Sequence, residues 1–153
     1  MNILGIGPFL LIIGACAGVL VAGIEKLFHW HAALPAPWSI AANYAGVGLA
    51  LIGLYFWISS ARRVRRAFPS GRLETGGVYR LSRNPMYAAF IVFLVPGMAC
   101  IVNDLLLLLI SAAMGIGFKM RIPKEEEFLL GKYGDAYRQY VRKVAQLIPF
   151  VHV

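Results

Sequence analysis

Apolar residues fall along the chain in four blocks separated by short polar breaks. The first covers residues 6–28 and the second residues 38–60, and each has the roughly 20 residues that a helix needs to cross a bilayer. The third and fourth, residues 86–102 and 105–118, are shorter. Between them stands Asn103-Asp104, a turn and N-cap signal, so the pattern predicts a tight helical hairpin whose second arm is short for a full span. Beyond Pro123 the pattern changes. Leu129, Tyr133, Tyr137, Tyr140, Val144 and then Leu147 or Ile148 recur at helical spacing, with Lys132, Arg138, Arg142 and Lys143 around that stripe. This predicts a C-terminal amphipathic helix, weakened or bent at Gly131 and Gly134. Glu125, Glu126 and Glu127 at its start gain nothing from an anionic lipid surface, which favours packing over the mouth of the bundle. The expected fold is an all-α integral membrane protein of about four transmembrane helices plus that C-terminal helix. Residues 1–153 form a single membrane domain, of which residues 1–60 supply two N-terminal transmembrane helices.

Composition agrees with this pattern. The chain is 59% hydrophobic and 14% charged, with a mean hydropathy of +0.70, against about 25% charged in an ordinary soluble domain. The N-terminal block has no Lys or Arg before it and is long for a signal peptide, so a retained transmembrane helix is expected. A net charge of +8 would suggest nucleic acid in a soluble protein. Here the basic residues flank apolar blocks, so the expected partners are membrane lipids with anionic headgroups and no nucleic acid. Of the 15 Lys and Arg, seven (Arg62, Arg63, Arg65, Arg66, Arg72, Arg80, Arg83) follow the second block and seven (Lys119, Arg121, Lys124, Lys132, Arg138, Arg142, Lys143) follow the fourth. The loops at 29–37 and 103–104 carry none. The positive-inside rule therefore predicts a multi-pass protein with both termini and the 62–85 loop in the cytoplasm.

Gly14, Gly18 and Ala22 on the first block, and Gly46 and Ala50 on the second, have the spacing that lets helices approach closely in lipid. Cys16 and Cys100 lie in apolar blocks without metal-type spacing and read as buried, inert thiols. His29 and His31 could ligate a metal but face the outer side and lack a third ligand, so no metal is expected. The blocks hold almost no ionisable residues, Glu25 and Lys26 at one end excepted, which argues against an ion pathway.

The remaining polar positions form two clusters. In "GVYRLSRNPMY" (77–87), Asn84-Pro85 predicts a helix start able to receive an anionic group, while Tyr79 and Tyr87 offer faces to a cation. The second cluster is Arg121, Glu125 and Glu126, with Arg121 and Glu125 on one face if Pro123 leaves the helix intact.

Together the two clusters resemble the isoprenylcysteine carboxyl methyltransferase and phospholipid methyltransferase group of membrane enzymes. Gly77, Tyr79, Arg83, Asn84, Pro85 and Tyr87 match the first half of the family pattern. Arg121, Glu125, Glu126, Leu129, Tyr133, Gly134, Tyr137 and Tyr140 match the second, and Ile148-Pro149 closes it. The resemblance spans residues 72–149, read as a methyltransferase-like core. It implies S-adenosylmethionine as cofactor, with S-adenosylhomocysteine as product, and a lipophilic or lipid-linked acceptor. Gly77, Tyr79, Arg83, Asn84, Pro85, Tyr87, Glu126 and Tyr137 would hold the cofactor, and Arg121 and Glu125 would act on the acceptor. The isoprenylcysteine enzymes commonly have His where this chain has Asn84, so the acceptor stays open among a prenylcysteine carboxylate, an aminophospholipid and a small thiol. A non-catalytic membrane protein, such as an assembly factor or transporter subunit, is the other reading.

Overall fold

A computed structural model describes residues 5–29, 31–67 and 71–147. Trp30 and the Ile148-Pro149 closure lie outside the described residues. Among the described residues the chain is helical and contains no strand. Helix α1 is Gly7–Phe28, with Pro8 in its first turn, and ends on His29 in the left-handed conformation (φ 49°). Helix α2 is Trp38–Ala67 and carries Arg65 and Arg66 in its last turn, where a helix's partial negative charge favours cations. A 3₁₀ turn at Gly77–Arg80 precedes a continuous helical run of three parts: α3 (Pro85–Ala88), a π-helical stretch (Ala89–Leu94) and α4 (Val95–Ile101). Pro96 cannot donate a backbone hydrogen bond in this run, and the widened turn lies just before it. The Ile91 carbonyl inside the widened turn instead accepts from the Ser111 hydroxyl.

The turn at 103–104 forms as expected. Asn103 takes φ 54°, and the Asp104 carboxylate accepts from Leu106 N at 3.0 Å. The Asn103 amide also clamps the earlier loop, donating to Leu34 O and accepting from Leu34 N, both at 3.0 Å.

The fourth element departs from expectation. A short 3₁₀ turn (Leu105–Leu107) leads into α5, Leu108–Tyr133, which passes through Pro123 without ending. A proline inside a helix costs about 3 kcal/mol. Phe118 and Ile122, at 0% and 1% exposure, bury one face of this turn against Leu10, Ile91 and Met114. The close packing of these side chains supplies dispersion contacts that offset the break. The apolar arm expected to stop at residue 118 and the amphipathic segment expected after Pro123 are therefore one helix. The interruption comes at Gly134 (φ 54°), after which the short α6, Asp135–Lys143, turns back.

Among the described residues three helical stretches are long and apolar enough to cross a membrane: Gly7–Phe28, Trp38–Ala67 and Leu105–Tyr133, with Pro85–Ile101 a shorter apolar run. They pair as α1 against α5 and α2 against α3–α4. Small residues set both contacts. A Cβ on Gly46 would lie 2.7 Å from Gly97 O and from Cys100 Cβ, while one on Gly14 would lie 3.1 Å from Met114 Sδ. Large apolar side chains such as Leu11, Val19, Leu51, Ile116 and Met120 face outward, and so does Cys16, a free thiol on the outer surface rather than a buried one. This pairing gathers Gly5–Ile6, the end of α2, the 77–87 segment and the second half of α5 at one end of the bundle. His31, Leu34 and Asn103–Asp104 meet at the other.

Gly46→Leu is expected to lower the thermal midpoint, by overpacking against backbone worth about 1–3 kcal/mol or more. Gly48→Ala, whose Cβ would meet nothing within 4 Å, should hold the midpoint or raise it slightly, because alanine favours the helix. Differential scanning fluorimetry of the two variants in one detergent checks both.

Candidate functional site

The two polar clusters, some 40 residues apart in the chain, meet at the basic end. Arg83 Nη1 lies 2.7 Å from Glu126 Oε1, with the two side chains 8% and 24% exposed. The contact has the closeness of an ion pair without the alignment of a hydrogen bond, and the buried Arg83 Nε has no hydrogen-bond partner among the described residues. Removing one partner of a pair buried like this costs about 3–5 kcal/mol, because the other charge is left uncompensated.

The returning tail completes the arrangement. Arg83 N donates to Ala145 O at 2.8 Å, and the Asn84 amide donates to Gln146 O at 2.9 Å. Ser82, fully buried, directs its hydroxyl to the same carbonyl and accepts from Asn84 N. Asn84 and Pro85 thus open the helical run, as read from sequence, but the Asn84 side chain is spent on the tail rather than on capping. The Gln146 side chain donates from Nε2 to Glu126 Oε1 at 3.1 Å and accepts from Lys119 Nζ at 2.9 Å. Sequence reasoning passed over Gln146, Ser82 and Ser60. A lone Gln or Ser has no spacing signature, and only the fold of the tail brings Gln146 here.

The tyrosines divide by role. Tyr140 donates to Tyr79 O at 2.6 Å, and the Tyr79 hydroxyl shares a 2.9 Å hydrogen bond with the buried Ser60 of α2. Burial disfavours the phenolate and pushes the pKa of both phenols above the usual range. Tyr137, 4% exposed, faces Arg83 and Glu126. Burial, then the Glu126 charge, push its phenol up to about 12, with Arg83 pulling the other way. It therefore stays a neutral hydrogen-bond donor at physiological pH. The stability this proton gives is complete below the ordinary phenol value and is lost as pH rises from about 10 towards 12.

Glu125 and Arg121 sit beside this cluster, on the face towards α1. Tyr87 donates to Glu125 Oε2 at 3.3 Å and accepts from Ile6 N at 3.1 Å. Gly5 approaches so closely that a Cβ there would lie 2.9 Å from Glu125 Oε1. The Glu125 carboxylate thus faces the start of α1, where free N–H groups favour negative charge. Arg121 is exposed, with its guanidinium 4.4 Å from the centre of the Phe9 ring. Among the described residues no ion pair joins Arg121 to Glu125, although the unbroken α5 keeps them four apart on one face.

Gly77 (φ 54°) is held under the Arg63 guanidinium, which pairs with Glu74 at 3.3 Å. A Cβ there would overlap Arg63, so the residue serves as a tight turn. Beside it an open cavity of about 370 Å³ is lined by Arg66, Arg72, Leu73, Glu74, Thr75 and Gly76. At the opposite end of the bundle His31 has the neighbours its local sequence does not supply: Glu25 and Asp104 bring carboxylate oxygens to within 4.8 Å of its ring nitrogen and of each other.

Residues 41–136 match the phospholipid methyltransferase family. The chain belongs to that family. Within it, 80 residues are 36% identical to a probable protein-S-isoprenylcysteine O-methyltransferase of Oryza sativa subsp. indica, covering 52% of this chain and 42% of the relative. Protein-S-isoprenylcysteine O-methyltransferase A of Arabidopsis thaliana is likewise 36% identical over 80 residues, 52% of this chain and 41% of the relative. Methanethiol S-methyltransferase 1 of Bradyrhizobium diazoefficiens is 37% identical over 79 residues, 52% of this chain and 27% of the relative. The match therefore spans about two fifths of the plant relatives' length.

Tyr140→Phe, which strands the Tyr79 carbonyl, should lower stability by about 1–3 kcal/mol. Chemical denaturation in mild detergent reads it, and an unchanged midpoint would show that the 2.6 Å bond contributes nothing net.

Proposed function

We propose that this chain transfers a methyl group from S-adenosylmethionine to a lipophilic acceptor at the cytoplasmic membrane face, and most resembles an isoprenylcysteine carboxyl O-methyltransferase. The observation that carries the reading is the Arg83–Glu126 pair. Among the described residues Arg83 Nε has no hydrogen-bond partner, and both contacts to Glu126 fall on Oε1, which leaves Oε2 as an unused acceptor. That complement suits the carboxylate and ammonium of an amino acid. Tyr137, a neutral phenol beside the pair, supplies a further donor and an aromatic face, with Tyr79 packed against the Tyr137–Tyr140 cluster and Tyr87 bonded to the neighbouring Glu125. Asn84, Pro85 and Gly77 fix the backbone that presents Arg83.

When bound, S-adenosylmethionine supplies a methyl group already electrophilic on its sulfonium. The residues then have to orient donor and acceptor and exclude water. An acceptor carboxylate is ionised at neutral pH and needs no base. Arg121, exposed on the α5 face, is the group to hold it, and Glu125, anchored by Tyr87, keeps that face polar. An amine acceptor would have to lose a proton, for which Glu125 is the candidate base. The likeness to a methanethiol methyltransferase favours a second acceptor, a small apolar thiol, which would leave Arg121 without a role.

The charge pattern supports four crossings, with the Pro85–Ile101 run as the third and the site end in the cytoplasm. Residues 72–149 then form the catalytic core within one membrane domain, on the two-helix support of residues 1–60. Lipid acceptors would come from the surrounding bilayer.

Detergent-purified protein should bind S-adenosylhomocysteine saturably in calorimetry, and folded protein that shows no saturable heat would overturn the reading. For a prenylcysteine acceptor, Arg121→Ala should raise KM about tenfold with cofactor affinity unchanged, whereas methylation of a small thiol should not respond. Glu125→Gln should leave carboxylate methylation largely intact and abolish amine methylation. Radiolabelled methyl transfer to each acceptor class separates these outcomes.

A further inference from the structure

Gln146 occupies a position that neither the motif pattern nor the family likeness assigns a role, since the family match ends at residue 136. Its side-chain amide is polarised from both ends. Lys119 donates to Oε1 at 2.9 Å, which fixes Nε2 as the group that faces Glu126 Oε1 at 3.1 Å. The same carboxylate oxygen receives Arg83 at 2.7 Å. Both internal partners of Glu126 thus converge on Oε1, and Oε2 makes no hydrogen bond among the described residues. With a hydrogen bond from Gln146 and the Arg83 cation both on Oε1, rotation of the carboxylate is restrained and Oε2 is left for an outside partner. The backbone of Gln146 is fixed independently, because its carbonyl accepts from Asn84 and Ser82.

We propose that Gln146 is a positioning residue for the methyl-donor site: with Lys119 behind it, it orients Glu126 so that Oε2 receives the ammonium of the cofactor's amino-acid part. This rests on the methyl-donor reading above. It assigns the closing tail a specific task beyond packing. Lys119 and Gln146 form a relay that carries positive polarisation to Glu126 without placing a second full charge against Arg83.

The test compares two ligands across three proteins by calorimetry. S-adenosylhomocysteine carries the amino-acid part, and 5′-methylthioadenosine lacks it. The proteins are the wild type, Gln146→Leu, and the near-isosteric Gln146→Glu, which cannot donate at neutral pH. Both variants should lose about tenfold in affinity for S-adenosylhomocysteine, the loss expected for a hydrogen bond to a charged group, and little for 5′-methylthioadenosine. Methyl transfer should show a raised KM for S-adenosylmethionine at nearly constant kcat. Equal loss for both ligands would mean that Gln146 only holds the fold, and wild-type affinity in both variants would mean that Glu126 needs no such support. Either result overturns the proposal. If Gln146→Leu fails to fold, Gln146→Glu, which keeps the shape and the Lys119 contact, gives the same comparison. Wild-type protein that binds neither ligand overturns the methyl-donor reading itself, a result distinct from the two above.

Discussion

The arrangement at the basic end depends on one ion pair, Arg83 with Glu126, made where water is scarce. Arg83 is nine-tenths buried, so its charge needs an answering carboxylate within contact distance. That carboxylate comes from the far half of the chain, on a helix whose other residues pack against α1. The pair therefore requires both that α5 be long and that the 77–87 segment turn tightly enough to present Arg83. The first condition is met by apolar burial at Phe118 and Ile122, which carries α5 past Pro123. The second is met by Gly77 under Arg63 and by the Ser82, Asn84 and Tyr79 bonds to neighbouring elements.

The helical pairs behave as two supports of different character. Between α2 and α3–α4 the approach is close, glycine against glycine, and dispersion between backbones does the work that the hydrophobic effect cannot do in lipid. Between α1 and α5 the contact is a side-chain core of Leu10, Met114 and Phe118. The carboxylate of Glu125 sits over the start of α1, so that second support also ends at the candidate site.

Much of this was legible in the residues, for reasons that differ by element. Blocks 6–28 and 38–60 declare themselves because twenty apolar residues have few other uses, and Asn103-Asp104 because left-handed backbone and an N-cap both select those side chains. The residues Arg83, Asn84, Glu125 and Glu126 stood out because polar groups are costly next to apolar runs. What stayed hidden was tertiary in origin. Pro123 reads locally as a helix breaker, and only the burial of its neighbours outweighs that. Gly134, one of two glycines that could bend the tail, bends it because its φ is positive, which the letters alone do not reveal. Gln146 and Ser60 acquire meaning solely from what lies opposite them. The two carboxylate neighbours of His31 were missed because Glu25 and Asp104 lie on separate elements.

The bend at Gly134 has a consequence for the order in which this protein comes into being. The contacts that the bend permits join Asn84 to Gln146, 62 residues later, and Arg83 to Ala145. Closing so long a loop is slow relative to forming the helices on either side. A chain emerging from synthesis can therefore pair its helices while the tail is still unmade. The Arg83–Glu126 pair can form with the helices, while the Gln146 bond to Glu126 waits for the last segment. The support is thus complete before the tail is, and the tail arrives last to brace a pair that the helices have already brought together.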